Sequence, residues 1–225
     1  MRKAGLVVGE YYHIYNRGVE KRTIFLDQLD YWRFMALLIG FQGDIDLNPM
    51  SRFVNLVKLK VFNDEIFQEI IKEKYVELIS FCLMHNHFHL ILHEIKEGGI
   101  SKFMQRLSNS YTKYFNARYN RNGHLFNGGF QSSHINSDEY LKYLSAYIHL
   151  NPDELRRWHK RTTEYPWSSF QDYAGENRWG EFLNSQILMD QFNGGEEYRH
   201  FIEETSISKI ERKLQQNVEH SMFNT

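Results

Sequence analysis

The stretch LMHNHFHLIL, residues 83 to 92, sets three histidines into an apolar run. On a β-strand His87 and His89 share one face, about 6.6 Å apart along the backbone, so that two imidazoles can converge on a single ion. Phe88, Leu90 and Leu92 take the opposite face as a packed backing that would hold such ligands rigid. Taken alone, a His-x-His pair is as well explained by hydrogen-bonded or surface histidines. His85 precedes the alternating run and His93 lies further along it, and either reads as a bystander. Leu90 and Ile91 break the pattern of binuclear zinc hydrolases, and no acidic residue follows closely enough for a second metal.

Two nitrogens leave a metal under-coordinated. The segment AYIHLNP offers further donors: Tyr147 and Asn151 are spaced i, i+4 on a helix, roughly 6 Å apart on one face, so a phenol and an amide oxygen reach the same spot. A tyrosine serves as a covalent nucleophile where a metal or a neighbour favours its phenolate. The competing reading is packing, because Tyr140, Tyr143 and Tyr147 form an i, i+3, i+7 stripe. On spacing alone that stripe favours packing.

The elements that must position these residues follow from periodicity. EYYHIYNRG predicts a strand over 10–18 closing at Gly18. Asp30 is expected to cap a helix carrying Tyr31, Phe34, Met35 and Leu38 on one face, stopped by Gly40 and Gly43. Residues 44–74 read as an elaborated crossover with a turn at NPMS and one short helix capped by Asn63. YVELISFCLM and HFHLILHEI are strands joined at His85 and Asn86. ISKFMQRLSNSYTKYFNARY is helical, with Phe103, Leu107, Tyr111, Tyr114 and Phe115 on one face. GGFQSSHI is a short strand, and Ser137 caps a helix that Pro152 ends. The order β, α, β, β, α, β, α predicts an α+β, ferredoxin-like split βαβ fold: an antiparallel sheet with helices on one face, plus extra C-terminal helices. We read residues 1–175 as one domain and 176–225 as a helical extension.

Composition narrows the function classes. The 225 residues are 42% hydrophobic and include 17 Phe and 14 Tyr, which fits a folded chain rather than a disordered one. Cys82 is the single cysteine, so an intrachain disulfide and a cysteine zinc site are excluded, in keeping with a reducing cytoplasm. No stretch approaches 18 apolar residues, and the N-terminal apolar run is too short for a signal peptide. The net charge of −1 gives no reason to expect a nucleic-acid partner. Its distribution does: residues 101–135 carry Lys102, Arg106, Lys113, Arg118 and Arg121, no Asp or Glu, and seven interleaved aromatics.

Taken together, YYHIYNRG, CLMHNHFHLIL, SNSYTKYFNARYNRNGHLFNGGFQSS, YLKYLSAYIHLNP and YPWSS, in that order across residues 10 to 170, resemble the REP-associated tyrosine transposases of the insertion sequence 200-like family. The resemblance implies that His87 and His89 bind the metal, that Tyr147 is the nucleophile, and that Asn151, one turn later, is the third ligand. It further implies Mg²⁺ or Mn²⁺, cleavage and rejoining of hairpin-forming single-stranded DNA through a 5′-phosphotyrosine, a monomer or homodimer, and a cytoplasmic, nucleoid-associated protein. Arg17 and the basic segment, with Tyr114 and Tyr119 as stacking platforms, are the expected DNA contacts. Departures from the family pattern are His85 in place of proline, and DELRRWHKRTTE after the NP. Two rival readings are a hairpin-binding protein that does not cut, and a metal-dependent phosphoesterase that uses water.

Overall fold

The computed structural model describes residues 5–223, with side chains described to residue 215. Four strands form one antiparallel sheet: β1 (Tyr11–Arg17), β2 (Val76–Met84), β3 (His87–Glu94) and β4 (Gln131–Ile135), in the order β2-β3-β1-β4. That order, with helical crossovers between β1 and β2 and between β3 and β4, is the expected ferredoxin-like arrangement. Helix α1 (Gln28–Gly40) makes the first crossover, and α4 (Gly99–Arg118) makes the second. Both lie on the sheet face that carries Phe88, where Phe34 and Phe126 pack against its ring.

Helix α5 (Asp138–Leu150) covers the other face, that of the histidines, where the Tyr147 ring meets His89. Covering on both faces explains why β2 is apolar almost throughout and buried at every position but one. The turn at His85 and Asn86 is pinned from outside: the Asn86 carbonyl accepts from the Gly18 N–H at 2.8 Å, and the His85 carbonyl from the Ile24 N–H at 2.8 Å. Gly18 is required there, since a Cβ would stand 2.2 Å from the Arg22 carbonyl oxygen.

Several boundaries differ from expectation. Asp27, not Asp30, caps α1 by accepting from the Leu29 and Asp30 N–H groups. Asp30 instead turns inward and is fully buried. The 44–74 crossover holds two helices, α2 (Met50–Leu59) and α3 (Glu65–Lys72), and Asp64 rather than Asn63 caps the second. Both crossover helices are anchored by aromatic packing, Phe53 and Phe67 lying 5.3 Å apart.

Beyond α5 come the short helices α6 (Phe170–Ala174) and α7 (Gln186–Met189), then α8 (Gly195–Glu204) and α9 (Ile207–Phe223). The segment after 175 shares the core of what precedes it. Tyr198, Ile202 and Ile210 are buried, and α8 and α9 pack on α5. His149, on α5, is fully buried with both ring nitrogens bonded: Nδ1 to the Tyr198 hydroxyl at 2.6 Å, and Nε2 to the Ser169 and Ser80 hydroxyls at 2.8 and 3.0 Å. Burial pushes its pKa down to about 3, so it is neutral in the fold and protonates near 6.5 when unfolded. Stability is therefore full above pH 6.5 and falls as the pH drops from there towards 3. Urea unfolding at pH 7.5 and pH 5 is expected to show His149→Phe losing about 2 kcal/mol of that pH dependence.

Candidate active site

The pleat places His87 and His89 side by side at one end of the sheet, their ring centroids 5.2 Å apart and their planes nearly perpendicular. Antiparallel pairing sets Arg17 opposite His87 and Tyr15 opposite His89 on the same face. Helix α5 crosses that face and ends at Leu150, with the buried Asn151 as its C-cap and Pro152 in the short 3-10 turn that follows. Tyr147 and Asn151, one helical turn apart, both reach the histidines. The Tyr147 ring stands edge-on to His89 with centroids 5.5 Å apart, and Asn151 Oδ1 lies 3.2 Å from His87 Nε2. All four candidate residues thus meet at one place, although they come from segments sixty residues apart.

The hydrogen bonds around His87 constrain its chemistry. The Asn86 amide donates to the Lys21 carbonyl, which turns its Oδ1 to His87 Nδ1 at 2.7 Å. The Asn151 amide donates to the Tyr147 carbonyl at 2.8 Å, which turns its own oxygen to His87 Nε2. Burial lowers the His87 pKa, with Asn151 opposing, so the ring is neutral near pH 7 and carries one proton. With that proton donated from Nδ1 to Asn86, the Nε2 lone pair faces an amide oxygen lone pair. In that tautomer two acceptors face one another, an arrangement that suits a shared cation. Ligand bonds of about 2.1 Å meeting at a right angle span about 3 Å. Two imidazoles and a neutral amide therefore fit a divalent ion, and they leave positions open for a phosphate. Among the described residues no group of three or more His, Cys, Asp or Glu side chains could hold a metal, so an ion bound here would need the amide oxygen as well.

Burial also pushes the Tyr147 phenol up, with the Glu154 carboxylate adding to it, so the hydroxyl is protonated at neutral pH. A cavity of about 500 Å³ opens on the histidines, bounded by Arg17, Lys21, Asn127, Gln131 and Glu154. Arg17 is exposed, and its guanidinium has no ion-pair partner among the described residues.

The basic segment is engaged elsewhere. Lys102 pairs with Asp44 at 2.6 Å, and Arg106 donates to the Gly43 and Ile45 carbonyls and the Tyr75 hydroxyl while lying over the Phe41 ring. Arg118 binds Asp27 and Asp30, Arg121 binds Asn116 and the His124 carbonyl, and the Tyr114 and Tyr119 hydroxyls both donate to Asp30. Lys102, Arg106 and Arg118 thus fasten α4 to the first crossover, and Arg121 ties the end of α4 to the loop that follows it. Lys113 differs, being exposed and unpaired among the described residues. The sequence hid this because the matching carboxylates, Asp27, Asp30 and Asp44, lie far away in the chain. Asp30→Ala, which strips a fully buried carboxylate from Arg118 and two tyrosines, is expected to cost about 3–5 kcal/mol in urea unfolding.

His13 was not singled out by sequence, yet its Nε2 lies 2.9 Å from His89 Nδ1. Its signal was its place at i−2 from Tyr15, on the face that pairs with the histidine strand.

The histidine face of a ferredoxin-like sheet is thus crossed by a helix that brings a tyrosine, and one turn later an asparagine at its C-cap, to the two histidines. Residues 51–151 match the family model described as transposase IS200 like, a span that contains His87, His89, Tyr147 and Asn151. Over that span, somewhat less than half of the 225 residues, the chain is similar to these transposases. Among solved structures it is similar to a REP-associated tyrosine transposase bound to a REP hairpin, at 14% identity and a TM-score of 0.52, over 83% of this chain and 92% of that one. At that identity the likeness speaks for the fold. No curated protein matches the chain. Among the described residues no helix is long and apolar enough to cross a membrane.

Proposed function

We propose that the protein binds hairpin-forming single-stranded DNA and cleaves and rejoins it through a phosphotyrosine at Tyr147. The observation that carries this reading is the approach of His87 Nε2 to Asn151 Oδ1, 3.2 Å apart, beside the Tyr147 ring and under a cavity bounded by Arg17 and Lys21. The hairpin in the similar solved structure supports the choice of DNA.

Mg²⁺ or Mn²⁺ held by His87, His89 and Asn151 would supply positive charge to a non-bridging oxygen of the scissile phosphate. Arg17 and Lys21 draw the DNA backbone to the mouth of the cavity. The phenolic oxygen of Tyr147 attacks phosphorus. A tyrosine O–P bond forms, the P–O3′ bond breaks, the phenol gives up its proton, and the departing 3′-oxygen gains one. A second 3′-hydroxyl can reverse the step without ATP, because the phosphodiester is exchanged rather than hydrolysed.

A hairpin oligonucleotide labelled at its 3′ end tests this. Incubated with Mn²⁺, the label is expected to move with the protein on a denaturing gel. Labelled free fragments alone would instead mean that water is the nucleophile, and intact bound oligonucleotide would mean a binding protein that does not cut. Arg17→Ala is expected to reduce the slope of log affinity against log salt by about 0.7–0.9, the share of one phosphate contact, in a titration of the same hairpin.

A further inference from the structure

We propose that His13 is a positioning residue that holds His89 as the Nδ1–H tautomer, leaving His89 Nε2 as the nitrogen that meets the cation. The choice of tautomer rests on the metal reading above, whereas the hydrogen bond between the two rings stands on geometry. His13 and His89 are both about 8% exposed, and their rings stack with centroids 5.1 Å apart and planes 20° apart. His13 Nε2 and His89 Nδ1 are 2.9 Å apart, so one proton is shared between them. Tyr15 lies against both rings, at 4.8 Å from His13 and 5.7 Å from His89, and closes the stack.

Only one direction of that hydrogen bond is compatible with ligation. If His13 donated, a neutral His89 would keep its own hydrogen on Nε2, where it would turn a cation away. If His89 donates from Nδ1, its Nε2 lone pair is free. His13 is buried with its Nε2 turned to His89 Nδ1, and a neutral imidazole nitrogen there is able to accept. His87 shows the same logic with a different partner: Asn86 Oδ1 takes the Nδ1 proton, and Nε2 is left facing Asn151. The two imidazoles are thus set in the same tautomer by two unlike acceptors, an amide oxygen and a ring nitrogen. Both acceptors are uncharged. A carboxylate in either place would partly neutralise the bound ion, whereas these leave its charge for an anionic phosphate.

The ¹⁵N shifts of the imidazole nitrogens in the metal-free protein report the tautomer without any substitution. Wild-type protein is expected to show His89 protonated at Nδ1. His13→Phe, which keeps an aromatic ring but lacks the acceptor, is expected to move the proton to Nε2 or mix the two forms, and to weaken Mn²⁺ binding followed by electron paramagnetic resonance by about tenfold or more. His13→Gln, whose Oε1 can accept, is expected to recover most of both. His89 protonated at Nε2 in the wild type would overturn the proposal. So would a His13→Phe variant with unchanged tautomer and unchanged Mn²⁺ affinity. The Nδ1–H tautomer in a wild-type protein that binds no Mn²⁺ would uphold the role of His13 towards His89 and overturn the metal reading.

Discussion

Tyr147→Phe is expected to lower the yield of the covalent protein–DNA species by about 10³-fold or more, while hairpin affinity stays within about twofold. The substitution removes one oxygen from a half-buried ring and keeps the packing against His89, so the helix has little reason to move. Binding should survive because the cationic side chains proposed to meet the DNA backbone, Arg17 and Lys21, line the cavity and are left intact. The two effects are separable in one experiment, with a native gel for binding and a denaturing gel for the adduct. Loss of both together would indicate that α5 had shifted.

The second large effect is expected at the cation site. His87→Ala removes the nitrogen that faces Asn151 and frees the amide oxygens of Asn86 and Asn151. Mn²⁺ affinity is expected to fall by about 10²-fold, and cleavage with it, while affinity for the hairpin in metal-free buffer changes by no more than about threefold. Electron paramagnetic resonance of Mn²⁺ gives the first number and a salt-matched binding titration the second. Equal Mn²⁺ affinity in the variant would mean that the Asn151 contact is an ordinary side-chain meeting and that the ion sits elsewhere.

The placement of the four candidate residues was legible because it follows short-range rules, while their roles came from the family resemblance. The two-residue period of a strand put His87 and His89 on one face, and the helical turn put Tyr147 and Asn151 on another. The sheet order was legible for the same reason, since each element announced itself by period and by its turn residues. Long-range pairing was not legible. Arg118 and Asp30 are far apart in sequence, and no local pattern says that a cation on α4 will find a carboxylate on α1. Asp30 itself was misread as a cap because Asp27, three residues earlier, has the same chemistry and a better position. His13 was missed because a histidine in a Tyr-rich strand looks like any aromatic core residue until the register with β3 is known. The segment after 175 gave no motif, yet Tyr198 reaches His149, on the helix that carries Tyr147 and Asn151. That helix is held from behind by residues that a motif search passes over.

The central claim is that Tyr147 becomes the covalent link to DNA. The direct measurement is mass spectrometry of tryptic peptides after reaction of the full chain with a hairpin oligonucleotide and Mn²⁺, followed by nuclease trimming of the attached strand. Fragmentation of the tryptic peptide 143–156, which holds both Tyr143 and Tyr147, is expected to place a phosphonucleotide on Tyr147, joined through the 5′-phosphate. Attachment at Tyr143 or Tyr15 instead, or cleaved DNA with no modified tyrosine, would contradict it.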